Sequence, residues 1–133
     1  MLCSTKLKDL FRQLTSQIKT ETRELGPYIE GVLSQYIHAQ DDYSKDSVTL
    51  RFIQAQAQMN FAGYQKLGDW IFFLSSVFPE AAQQHKTVYS MIGQSCYKKC
   101  FILLNKEWVL YEELADNFVP LSNQIAEQFS KLD

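Results

Sequence analysis

The stretch Leu67-Gly68-Asp69-Trp70-Ile71-Phe72-Phe73-Leu74-Ser75-Ser76-Val77-Phe78-Pro79-Glu80 constrains the fold of this chain more than any other. It is apolar on all sides instead of along one stripe, which is the pattern of an element enclosed by others. The run from Trp70 to Phe78 falls far short of the roughly 20 residues that a membrane-spanning helix needs, so it reads as the buried centre of a globular fold. Periodicity alone leaves a buried strand open for so short a run. Helix is preferred because the flanking segments read as helical and no partner strand is visible. Gly68 is expected to break or kink the preceding helix, Asp69 to cap the new one, and Pro79 to end it.

The flanks carry the three-and-four apolar spacing of amphipathic helices. Leu7, Leu10, Phe11, Leu14 and Ile18 predict a first helix from about Thr5 to Arg23. Gly26-Pro27 supplies a stop and a restart, and Ile29, Val32, Leu33, Tyr36 and Ile37 form a second stripe ending near Ala39. A polar segment, Gln40 to Ser47, precedes a third helix from Val48 to about Lys66, with Asp46 or Ser47 as its cap and Phe52, Ile53, Ala57, Phe61 and Tyr64 facing inward. Gln54, Gln56, Gln58 and Gln65 are expected mostly on its outer side. After Pro79 the cleanest stripe of the chain runs through Val88, Tyr89, Ile92, Gly93, Cys96, Tyr97, Cys100, Phe101 and Leu104, where small Gly93 and Cys96 would admit a close neighbour. Asn105 is expected to cap the last helix, with Trp108, Tyr111, Leu114, Ala115, Phe118, Leu121, Ile125, Phe129 and Leu132 inward and a kink near Asp116 caused by Pro120. The expectation is one all-α domain over residues 1–133, a bundle of five or six helices around a central apolar helix.

Bulk properties narrow the function classes. Only five Gly and three Pro in 133 residues leave little material for all-β turns. A net charge of −2 provides no electrostatic drive toward nucleic acid or an anionic membrane. Three cysteines do not make a disulfide framework, and the Met1 to Lys8 start lacks a signal-peptide pattern, so a reducing cytoplasm is the expected compartment.

No motif forces a reaction, and no cofactor is expected. Cys96 and Cys100 share a helix face but lack two further metal ligands. His85 lies eleven residues before Cys96, about 16 Å along a helix, so the thiols read as apolar packing. His38 reads as a surface group near Asp41 and Asp42 at a helix end. Glu112, Glu113 and Asp116 read as a solvated acidic face without the alternating ligands of a calcium loop. Asp69 has two readings: a helix cap, or a carboxylate against apolar walls with a raised pKa. In the second reading it anchors a small apolar or aromatic ligand held by Trp70, Tyr89, Gly93, Tyr97 and Trp108, with hydroxyls from Tyr64 and Tyr111 in reach.

The segments Leu67-Gly68-Asp69-x4-Leu74-Ser75-x2-Phe78-Pro79-Glu80 and Val88-Tyr89-x3-Gly93-x3-Tyr97 resemble a family of uncharacterised bacterial proteins. In that family a Gly-Asp, an apolar run ending in Phe-Pro and a Tyr-x3-Gly-x3-Tyr recur in this order. The resemblance covers about Tyr28 to Phe118. It implies an all-helical bacterial domain, points to Gly68, Asp69, Phe78, Pro79, Tyr89, Gly93 and Tyr97, and implies no activity. The leading expectation is a non-enzymatic protein-association module, with a homodimer as its simplest form. The alternative is a small-ligand binder with its pocket beside Asp69.

Overall fold

The computed structural model describes residues 9, 12, 13, 15, 16, 23–37, 45–79 and 86–131. Among them the chain forms an all-α bundle: α1 (Leu25–Tyr36), α2 (Lys45–Gln58), α3 (Phe61–Val77), α4 (Lys86–Leu103), α5 (Val109–Asp116) and α6 (Phe118–Ser130). The stripe expected for a first helix, Leu7 to Ile18, lies outside the described residues, as do His38, Asp41, Asp42 and His85. α3 is the hub and packs against α4, α6, α2 and α1, most extensively against the first two. Every residue from Leu67 to Phe73 is buried, as the lack of a polar side predicts; Phe78 and Pro79, past the helix end, are exposed.

The hub starts nine residues earlier than the sequence suggests. Asn60 has extended geometry (φ −98°, ψ 114°), and its side-chain oxygen accepts hydrogen bonds from the amides of Ala62 at 2.9 Å and Gly63 at 3.4 Å. The preceding Met59 turns the chain with a positive φ of 48°. A helix begins where its free amides find an acceptor, and here that acceptor is Asn60. The expected break at Gly68 and cap at Asp69 are therefore absent, and both residues lie inside α3.

Glycine within a helix costs about 1 kcal/mol relative to alanine, and Gly68 offsets this through proximity. A Cβ on it would sit 3.1 Å from the Tyr97 ring and 3.2 Å from the Cys96 Cβ, so its absence brings α3 and α4 together. Gly93 performs the same service between α4 and α6, where a Cβ would meet the Phe118 ring at 2.5 Å. Phe72 meets Phe118 edge-on, with ring centroids 5.4 Å apart.

Three further boundaries differ from expectation. α2 begins at Lys45, which places Asp46 and Ser47 inside its first turn instead of ahead of it. Its inward residues are Val48 and Ala55, with Phe52 half-buried, whereas Ile53 is 55% exposed and Ala57 also faces out. Asn105 does not cap the last helix; it closes α4. With φ 59° it donates its amide to the carbonyl of Ile102, and Lys106 donates to Phe101, the paired bonds of a Schellman ending. Finally, the kink expected from Pro120 is a full division, with α5 ending at Asp116 and α6 starting at Phe118 across Asn117. Pro120 then falls in the first turn of α6, where its missing amide costs least.

Candidate functional site

Asp69 is 7% exposed, in the middle of α3, and the residues around it come from three other helices. Tyr28 stands in the first turn of α1, whose start tolerates Pro27 because that turn needs no amide there. Its hydroxyl donates to Oδ1 of Asp69 at 2.8 Å. Tyr97 of α4, fully buried, donates to the same oxygen at 2.8 Å. Tyr111 of α5 completes the group: its ring packs edge-on against Tyr28 at 5.7 Å and lies 6.2 Å from Tyr97, and its hydroxyl accepts from the Gln65 side-chain amide at 2.8 Å. Gln65 therefore reaches inward from α3, contrary to its expected outer position.

Burial dominates the electrostatics. Removal from water disfavours the charged carboxylate and pushes the Asp69 pKa up to about 7, although the two tyrosine hydrogen bonds pull the other way. The Tyr28 and Tyr97 hydroxyls are pushed upward by burial and by the neighbouring carboxylate, so they remain donors. Burial, followed by the charge of Asp69, lifts the Cys96 thiol to about 12, and Cys100 moves in the same direction through burial and its neighbour Cys96. Neither thiol is a nucleophile at neutral pH.

Asp69 borders an open recess of about 340 Å³ between α1 and α3. Pro27, Tyr28, Gly31, Val32, Gln35 and Tyr36 line it from α1, and Gln65 and Lys66 join Asp69 from α3. Both tyrosine bonds fall on Oδ1, and no described residue donates to Oδ2. Gly31 is part of this wall, and no described atom comes within 4 Å of where its Cβ would be. Chemically the site offers a hydrogen-bond acceptor whose charge changes near neutrality, set beside aromatic surface.

The residues expected to form a pocket are only partly assembled. Asp69 and Tyr97 are in direct contact, and Tyr111 is beside them. Trp70, next in sequence, points elsewhere and packs on Tyr36 and Phe73, with centroids at 5.7 and 5.6 Å. Tyr89 and Gly93 lie earlier on α4; Tyr89 is buried and Gly93 lies beneath Phe118. Trp108 is 55% exposed in the connection before α5, so its expected inward place is wrong: the Schellman ending of α4 carries the chain outward before α5 begins. Sequence reasoning missed Tyr28 altogether. The residue follows Gly26-Pro27, and only the docking of α1 on α3 reveals that it meets a residue 41 positions away.

A second cavity, about 410 Å³, runs along α5 and α6 and is lined by Glu112, Glu113, Asp116 and Gln124 together with Leu25, Val109, Asn117, Pro120 and Leu121. Glu112 there faces Lys98 at 3.9 Å, a solvent-screened pair. Among the described residues no three His, Cys, Asp or Glu side chains are grouped to hold a metal ion, and no helix is long and apolar enough to cross a membrane.

The fold and the site together define an all-α bundle with a buried carboxylate at the edge of an open recess. Compared with known protein families, with curated proteins and with solved structures, the chain matches none.

Proposed function

We propose that this chain is a binding module that takes a small, partly aromatic ligand into the recess beside Asp69. The observation that carries this reading is the half-used carboxylate: one oxygen is fixed by two tyrosines and the other is left for the recess. The second oxygen is not among the buried atoms without a partner, so it is open to solvent, and a ligand donor can take the place of water there. The volume lies at the low end of small-molecule sites. Ligand-observed NMR with a panel of small aromatic compounds tests the reading. Signals are expected to transfer from the native chain and to disappear in Gly31→Trp, which fills the recess from a position with free space around it. An equal response from both proteins would place binding elsewhere.

Protein association is the second reading, and several exposed apolar side chains favour it. Leu50 and Ile53 face outward on α2, and Val88, Met91 and Ile102 do so on α4, with Trp108 and Val109 just beyond. Aromatic and methionine side chains are characteristic of association surfaces. In this reading the chain works in the cytoplasm as a homodimer or with a protein partner. Light scattering of the purified chain, native and Met91→Glu, distinguishes an association that depends on the exposed side of α4 from a monomer.

A further inference from the structure

We propose that the ligand of the recess is a small organic cation, an ammonium joined to an apolar or aromatic body. This rests on the recess being a binding site. Among the described residues lining the recess Asp69 is the one acidic group, and Lys66, three residues earlier on α3, forms no ion pair with it. The carboxylate is more than nine-tenths buried, and Oδ1 is already occupied by the Tyr28 and Tyr97 hydroxyls. In the ionised carboxylate Oδ2 is a second acceptor, which favours a donor over an anion. Tyr28 and Tyr36 are both in the lining, and aromatic rings attract an ammonium. The bare Cα of Gly31 leaves room for the ligand body at a cost to the helix that no described neighbour explains.

A cation is preferred over a neutral donor because of what else competes for the carboxylate. Burial makes the ionised form unfavourable, so with a neutral ligand Asp69 keeps its proton, whereas a cation gains the full attraction of the ionised carboxylate. An ammonium cancels the charge and displaces that proton, with one proton released for each cation bound to the protonated site. The other titratable groups around the carboxylate, Tyr28, Tyr97, Tyr111, Cys96 and Cys100, are all shifted upward and stay protonated near neutrality. Asp69 is thus the group through which pH acts on binding.

Calorimetric titration of the full chain with benzylamine and with its neutral counterpart benzyl alcohol, from about pH 5.5 to about pH 8, tests the proposal. Benzylamine affinity is expected to rise about tenfold per pH unit on the acid side of neutrality and to level off above it, as proton competition fades. Asp69→Asn should lower the affinity for benzylamine at pH 8 by roughly tenfold or more and abolish the pH slope. Gly31→Trp should abolish binding while circular dichroism stays unchanged. Benzyl alcohol binding as tightly as benzylamine would overturn the cation while leaving a binding recess. Silence from both compounds at millimolar concentration would remove the recess as well.

Discussion

The two sides of α3 handle glycine in opposite ways. Toward α4 and α6, Gly68 and Gly93 bring backbones against the rings of Tyr97 and Phe118, and the missing Cβ atoms are replaced by packed carbon. Toward α1, no described atom lies within 4 Å of where a Cβ on Gly31 would be, and the recess it lines also holds the Asp69 carboxylate. Gly68 and Gly93 are buried, where protein interiors are close-packed, whereas Gly31 is exposed at the surface, so the three glycines meet different demands. The closed side holds the helices together, and the open side carries the recess proposed as the binding site.

The comparison is broken most severely from the closed side. Phe72→Ala, which deletes a fully buried ring against Phe118, is expected to destabilise the chain by about 3–5 kcal/mol in chemical denaturation. Next in size is the pH dependence that Asp69 imposes. Its folded pKa, about 7, lies above the ordinary carboxylate value, so the native state holds a proton that the unfolded chain has released. Stability from this residue is fully present at pH values below the unfolded pKa and is lost as pH rises through about 7. Between about pH 5 and pH 8 the native chain should lose roughly 2–3 kcal/mol relative to Asp69→Asn, measured by denaturation of both proteins at each pH. A parallel dependence in the two proteins would show that this carboxyl titrates normally.

Smaller effects sharpen the contrast between glycines. Gly93→Ala is expected to destabilise by about 2 kcal/mol, since the new methyl group must displace a buried ring. Gly31→Ala should instead stabilise by about 0.5–1 kcal/mol, as alanine does in an open helical position. Thermal unfolding of the pair reads both signs in one experiment, and a loss of stability in Gly31→Ala would show that the open side is packed after all.

Much of this architecture was legible before the structure. The stripes from Ile29 to Tyr36 and from Tyr89 to Phe101 are inward as spaced, and the fully apolar stretch after Leu67 is the centre. Boundaries were less legible, because Gly68 has the same identity whether it stops a helix or admits a neighbour, while the deciding signal was the capping amide of Asn60. The register of α2 was obscured by Leu50 and Ile53, apolar residues that face out, so periodicity pointed to Ile53 where Ala55 is buried. Within the site, Asp69 and Tyr97 could be named from the sequence. Tyr28 and Gln65 could not, since local pattern carries no information about which hydroxyl a distant helix delivers to a carboxylate.

The placement of the two tryptophans gives the chain a built-in pair of optical reporters. Trp70, 8% exposed, contacts Tyr36, whose ring also lines the recess, so its emission should respond to occupancy there and resist iodide quenching. Trp108, 55% exposed, stands beside Val109 on the outer apolar surface and should be readily quenched until another macromolecule covers it. Emission resolved by quencher access would thus separate an event inside the bundle from one on its surface in a single unlabelled sample, with Trp70→Phe and Trp108→Phe assigning each component.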